Sequence, residues 1–199
     1  MTQKGLLTII SGPSGAGKGT ICKSFVHKNN CYISVSATTR APREGEVDGV
    51  NYYFLSREEF LNKVKEDDFL EYAEVYGNLY GTPKSKIEDI LNTGKDVILE
   101  IDIQGAMQVK EKVQQGVFIF IMPPSMEELK QRIIKRGSET PESLTRRFAS
   151  AFEEMNFISE YDYAVINDRV EDAVKKIESI LTAEKCRVGR IIENNFHIR

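Results

Sequence analysis

A short apolar run, Leu6-Leu7-Thr8-Ile9-Ile10, stops at Ser11 and opens into Gly12, Pro13, Ser14, Gly15, Ala16, Gly17, Lys18, Gly19 and Thr20. A helix-forming stretch follows, from about Lys18 to Lys28. This is the G-x-x-x-x-G-K pattern with a strand before it and a helix after it. Its glycines let the backbone curl until several N–H groups point inward, which makes a nest for phosphate oxygens. The helix N-terminus adds partial positive charge, and Lys18 brings a full one to the terminal phosphates. A buried strand feeding a helix through such a loop is at home in a parallel α/β sheet.

The rest of the chain keeps that rhythm. Tyr32–Val35, Val97–Ile101, Val117–Ile121 and Ala164–Ile166 read as further short strands. Helices are expected over Arg57–Lys65, Lys84–Asn92, Ile103–Lys112, Met126–Lys135, Pro141–Phe157 and Val170–Cys186. Buried strands alternating with helices imply a doubly wound α/β core. Two stretches break the alternation. Residues 36–90 hold polar turns, glycines and a tyrosine cluster, and read as a small lobe inserted between core strands. Residues 127–157 read as a helical hairpin, its second helix starting at Thr140-Pro141-Glu142 with Thr at the N-cap and Pro at N1. The core is then about 1–35, 91–126 and 158–186, and residues 187–199 form a tail with no assignment.

Composition narrows the partners. Of 199 residues, 27 are Lys or Arg and 30 are Asp or Glu, a formal charge of −3. That balance gives no global attraction to nucleic acid or an anionic membrane, so any bound anion must be held by a local cluster. The longest apolar run, Val117–Met122, is far too short to span a bilayer, and the N-terminal apolar stretch is too short for a signal peptide. Cys22, Cys31 and Cys186 are too scattered for a disulfide framework, and His27 and His197 complete no zinc spacing. Reduced thiols in a cytoplasmic protein are expected.

The phosphate loop departs from its usual form at one place. Its eighth position is Gly19, where many such loops have a Ser or Thr hydroxyl that ligates Mg²⁺. Thr20 is the next hydroxyl, available to a phosphate oxygen. Mg²⁺ is then expected to be held mainly by phosphates, water and a nearby acid. Asp102, at the end of its strand, is the natural candidate, with Glu100 two residues before it.

A phosphate loop does not say what accepts the phosphoryl group. The segment from Ser34 to Glu46 carries Arg40 and Arg43, three apart in a loop after a strand. Arginine forks suit phosphate oxygens, and two of them can clamp one phosphate. Tyr52 and Tyr80, in Gly49–Phe54 and Gly77–Thr82, bring hydroxyls that can donate to the same phosphate.

On these residues, together with Phe69–Tyr72, Leu99–Gly105, Pro123–Ser125 and Arg136–Thr140, the chain resembles the guanylate kinases from about Gly5 to Lys185. Tyr72 and Ser138 stand where many members have Trp and Thr. The resemblance implies phosphoryl transfer from ATP, with Mg²⁺, to GMP. It also implies a guanine reader. Guanine offers N1–H and N2–H₂ as donors and O6 as acceptor, so it needs carboxylates on one edge and a hydroxyl on the other. Glu71 and Asp102 match the family's carboxylate positions, and Thr82 and Ser36 its hydroxyl positions. Adenine would leave that set mismatched, a difference on the order of 10⁴ or more in discrimination. Arg40, Arg43, Tyr52 and Tyr80 match the GMP-phosphate positions. For Asp102 two jobs stay open, guanine and Mg²⁺.

Arg132 and Arg136 lie four apart on one helix and share a face, and Arg146 and Arg147 follow on the next. The resemblance assigns Arg132, Arg136 and Arg147 to closing over ATP and its γ-phosphate, and leaves Arg146 as a solvated charge. No base is required, because the nucleophile is a GMP phosphate oxygen already ionised near neutral pH. Two other readings compete: a non-catalytic guanylate-kinase-like binding module, and a kinase for another nucleoside monophosphate. The intact Gly12, Gly17 and Lys18 argue against the first, and the pairing of Glu71 and Asp102 with Thr82 and Ser36 against the second. Oligomeric state is not legible.

Overall fold

The computed structural model describes residues 4–75, 77–135 and 141–195; for 135, 141–147 and 193–195 it describes the backbone alone. Strand β1 (Leu7–Ser11) leads through the phosphate loop into helix α1 (Lys18–Lys28), and β2 (Tyr32–Ile33) follows. The other core strands are β7 (Val97–Glu100), β8 (Val117–Met122) and β9 (Tyr163–Ile166). They form one sheet in the order β2-β7-β1-β8-β9, and every pairing in it is parallel. The doubly wound core expected from the alternation is therefore present.

Alternation along each strand splits the core into two layers. Ile10, Ile98 and Ile119 pack with α1 and α7 (Val170–Lys185) on one face. Their neighbours Ile9, Leu99 and Phe118 pack with α3 (Lys84–Asn92) and α4 (Ile103–Lys112) on the other. Both faces of β1 and β8 are covered, which is why β8 reads as a continuous apolar run and β1 as one broken only by Thr8 before its end at Ser11. Because β1 is central, the loop after it emerges in the crevice where strand order reverses, the usual ligand position of an open α/β sheet.

The inserted stretch forms its own four-stranded sheet, a feature that hydrophobic patterning did not reveal. It contains β3 (Ala37–Thr38), β4 (Tyr53–Phe54), β5 (Phe69–Val75) and β6 (Asn78–Pro83) in the order β4-β3-β6-β5. Helix α2 (Arg57–Lys65) starts at a capping box, Ser56 with Glu59, and buries Phe60 against Phe69 with ring centroids 4.3 Å apart. Helix α5 (Met126–Lys135) and helix α6 (Pro141–Met155) lie between β8 and β9, where the helical hairpin was expected. A 3₁₀ turn at Asn156–Glu160 ends α6 two residues short of the expected limit. The Thr140 cap lies outside the described residues.

The tail holds helix α8 (Val188–Asn195), which the sequence reading left unassigned. Its anchor is Glu184, a carboxylate with a side chain only 3% exposed. Tyr163 Oη donates to Glu184 Oε1 at 2.6 Å, and Arg190 donates to Oε2 from Nε and Nη2 at 3.2 and 3.0 Å. Arg190 also reaches the Gln115 carbonyl, at 3.0 Å. Arg190→Ala would leave the buried carboxylate short of its main cation, a loss of about 1.5–3 kcal/mol. Thermal unfolding should show a Tm lower by roughly 4–10 °C. An unchanged Tm would mean that Tyr163 and Arg187 satisfy Glu184 alone.

Candidate functional site

The loop between β1 and α1 can only be built with glycines. Gly12 and Gly17 have φ of 142° and 91°. A Cβ on Gly12 would fall 2.3 Å from the Ile121 carbonyl oxygen, and one on Gly17 2.4 Å from the Asn167 side-chain nitrogen. No side chain caps the N-terminus of α1, which leaves its first N–H groups facing the loop. Pro13, Gly15 and Ala16 are buried, Ser14 and Gly19 half-buried, and Thr20 exposed. Asn167 Nδ2 donates to the Ala16 carbonyl at 2.8 Å and pins the loop from below.

Lys18 folds back along the loop. Its Nζ donates to the carbonyls of Gly12 at 2.6 Å and Pro13 at 3.1 Å. Burial pushes its ammonium below the usual lysine value, while Glu154, Glu100 and Asp102 pull it back up. All four groups line one cavity of about 260 Å³ with the loop glycines. A Cβ on Gly19 would lie 3.1 Å from Glu100 Oε1. Glu100 thus stands where the hydroxyl of a Ser or Thr at this position would project.

The two carboxylates singled out from the sequence converge at the start of α4. Asp102 caps that helix, its Oδ1 accepting from the Gly105 N–H at 2.8 Å. A Cβ on Gly105 would sit 3.2 Å from Glu71 Oε2 and 3.4 Å from Asp102 Oδ1. Glycine therefore keeps open the space that both carboxylates face. Thr82 Oγ1 donates to Glu71 Oε1 at 2.6 Å, which commits the one hydroxyl proton of Thr82 to Glu71. Burial pushes the Glu71 carboxyl up from its ordinary value; Thr82 opposes that shift, and Asp102 adds to it. Ser36 is half-buried, and its carbonyl accepts from the Tyr53 N–H at 2.9 Å.

Arg40, Tyr52 and Tyr80 also meet. The Arg40 guanidinium lies 5.5 Å from the centre of the Tyr52 ring, and the Tyr52 and Tyr80 rings are 6.1 Å apart, edge to face. Arg43 is exposed on the same loop. On α5, Arg132 is half-buried, bonded through Nε to Glu128 Oε1 at 2.9 Å and through Nη1 to the Asn167 carbonyl at 3.1 Å. Arg136 lies outside the described residues, and Arg147 is described only through the backbone of α6.

Two residues of the site escaped the sequence reading. Glu46 holds Arg40 Nη2 with both oxygens, at 2.8 and 2.9 Å, and accepts from the Arg43 N–H at 2.7 Å. That pairing holds the Glu46 carboxyl below the ordinary carboxylate range. Its closeness to both arginines in the chain was a readable signal. Glu154, which accepts from the Ser14 N–H at 3.0 Å, is 140 residues away in the chain and had none. The cysteines take no part. Cys22 and Cys31 are buried, burial pushing the Cys31 thiol up to about 11, and Cys186 is exposed.

Comparison with known proteins agrees with this geometry. The guanylate kinase family model matches residues 4–184. The guanylate kinase of Clostridium perfringens (strain SM101) is 71% identical over 193 residues, spanning 96% of this chain and 89% of that protein. The guanylate kinase of Clostridium tetani is 68% identical, over 95% of this chain and 91% of that one. The crystal structure of guanylate kinase from Anaplasma phagocytophilum superposes with a TM-score of 0.75 at 36% identity, covering 99% of this chain and 98% of its own. A match of this extent, over a phosphate loop and a pair of carboxylates laid out as above, places the chain in the guanylate kinase family.

Proposed function

We propose that the loop at Gly12–Thr20 and the lobe carrying Glu71 perform the family's reaction, in which ATP phosphorylates GMP to GDP, by direct in-line displacement. An oxygen of the GMP phosphate attacks the γ-phosphorus, and the bond to the β–γ bridging oxygen breaks to release ADP. Phosphoryl transfer of this kind asks the protein for positioning and for positive charge around the transferring group. The loop N–H groups and Lys18 hold the donor phosphates. Arg40, Arg43, Tyr52 and Tyr80 hold the acceptor phosphate, with Glu46 fixing the Arg40 fork. Arg132, Arg136 and Arg147 close over the donor. The observation that carries the reading is the convergence of Glu71 and Asp102 on the space above Gly105. Two carboxylates there suit the N1–H and N2–H₂ donors of guanine and oppose the acceptor at adenine N1. Thr82 orients Glu71, and Ser36 supplies the remaining hydroxyl.

Mg²⁺ fits the donor set in one manner only. Among the described residues no three His, Cys, Asp or Glu side chains form a cage for an ion. Hard oxygen ligands beside the loop are nonetheless present, Glu100 facing Gly19 and Asp102 in the same cavity. This suits an ion carried mainly by phosphates and water, with Glu100 and Asp102 reaching it directly or through water. When bound, it neutralises charge developing on the β- and γ-oxygens.

Among the described residues no helix is long and apolar enough to cross a membrane, and the cytoplasm is the expected compartment. Coupled ADP release measured with GMP, AMP, CMP and dTMP in turn tests the acceptor. Turnover with GMP alone is expected; turnover with AMP at a comparable rate would refute the carboxylate reading.

Donor and acceptor groups sit on separate units: the lobe about 36–90, the lid about 127–157 and the core. Movement of lobe and lid onto the core when both substrates bind would gather these groups around one phosphoryl group and exclude water from the reaction. Small-angle scattering should show a smaller radius of gyration with GMP and a non-hydrolysable ATP analogue together. An unchanged radius at saturation would rule closure out.

A further inference from the structure

The phosphate loop already holds an anion, and it comes from the protein. Glu154, in the last turn of α6, accepts from the Ser14 N–H at 3.0 Å through Oε2, while Ser150 Oγ lies 3.4 Å from its Oε1. A carboxylate oxygen on a loop N–H imitates a phosphate oxygen in charge and in bonding. Lys18 is turned onto the carbonyls of Gly12 and Pro13, and Glu154 is the first of the charges pulling on it. Glu100 and Asp102 line the same cavity. An entering phosphate therefore meets three carboxylates and one lysine, with one of the carboxylates bonded to a donor it needs.

We propose that Glu154 is an internal competitor for the donor-phosphate site: it accepts from the Ser14 N–H and must leave before the donor phosphates can seat. Glu154 thereby sets donor affinity. The free energy of breaking a charge-assisted bond is subtracted from donor binding, as for any protein that must leave a closed state before binding. This inference rests on the reading of Gly12–Thr20 as the donor-phosphate loop.

The test uses inorganic pyrophosphate, with the metal chelated, titrated calorimetrically into the full chain. The probe leaves out magnesium, so a metal-ligand role for Glu154 contributes nothing to the signal. Glu154→Gln is nearly isosteric, and Glu154→Ala removes the acceptor altogether. Both should bind pyrophosphate more tightly than wild type, by about five- to thirty-fold, with alanine showing at least the gain of glutamine. The Kd for GMP should stay within about twofold, because the groups assigned to its phosphate, Arg40, Arg43, Tyr52 and Tyr80, lie on the lobe and only Asp102 of its site lines the cavity that Glu154 shares. Unchanged or weaker pyrophosphate binding in both variants would overturn the proposal and make Glu154 a support of the loop. Lys18→Met separates the two failures. If that variant binds pyrophosphate as well as wild type does, the loop is not the donor site, and the underlying reading falls whatever Glu154 does.

Discussion

Replacing Lys18 by methionine should leave a folded protein whose kcat is lower by roughly 10²–10³-fold, the usual cost of losing one electrostatic stabiliser of a transition state. Lys18 is half-buried, and the bonds of its ammonium to the Gly12 and Pro13 carbonyls lie within the loop itself. Methionine keeps most of the apolar stem, so the packing beneath the loop survives. What disappears is one positive charge in a cavity shared with Glu154, Glu100 and Asp102. In the reaction that charge is needed most as negative charge moves toward the β–γ bridging oxygen. The loss should therefore fall more on kcat than on donor binding, which weakens as well because the same charge meets the phosphates in the ground state. Steady-state kinetics with both substrates saturating, beside a thermal melt, separates the chemistry from the fold. A variant that keeps half of wild-type kcat would remove Lys18 from the mechanism.

What could be read from the chain and what could not divides by distance along it. The loop at 12–20 is local: its glycines, its lysine and its flanking strand and helix occupy consecutive positions. The core strands were legible because β1 and β8 are buried on both faces, which favours runs of Leu, Ile, Val and Phe, broken in β1 only by Thr8 and by Ser11 at its end. The lobe sheet was not, because β3 and β4 are only two residues long, and β3, to which β4 pairs, finds its other partner in β6, some forty residues later. Two residues carry no measurable period. Helix α8 was missed for a similar reason. Arg190 ties it back to Glu184 and Gln115, and eight residues are too few for a helical period to stand out. Glu71 and Asp102 were assigned by family position, and only the folded chain brings them to one point above Gly105. Glu154 marks the limit of sequence reading, since nothing at Ala151–Met155 indicates that its carboxylate reaches Ser14.

Glu71→Gln should damage use of GMP far more than use of ATP. In the wild-type site Thr82 Oγ1 donates to Glu71 Oε1 at 2.6 Å, while Oε2 faces the open space over Gly105. Glutamine has one acceptor oxygen, and the Thr82 proton will hold it. The NH₂ is then forced into the place of Oε2, where it meets the N1–H and N2–H₂ of guanine as donor against donors. The variant loses a charge-assisted bond and gains a mismatch, together on the order of 2–4 kcal/mol. At about 1.4 kcal/mol per tenfold, this is roughly 30- to 700-fold in kcat/KM for GMP, with KM for ATP little changed. Stability should not fall. A carboxyl whose pKa is raised in the fold costs stability as pH rises from the ordinary carboxylate range through the raised value, and burial raises that of Glu71. The amide removes that cost, so Tm at neutral pH should equal or exceed that of wild type. The same shift gives a second readout. As pH falls, Glu71 gains its proton above the ordinary carboxylate range and loses an acceptor for guanine, so wild-type kcat/KM for GMP falls with it. Titration of the GMP phosphate is common to both enzymes and cancels in their ratio. The wild-type advantage should therefore shrink as pH drops from neutral toward the carboxylate range. Equal losses for GMP and ATP would instead mean a damaged fold, and an advantage independent of pH would mean that the ionised Glu71 carboxylate is not what guanine meets.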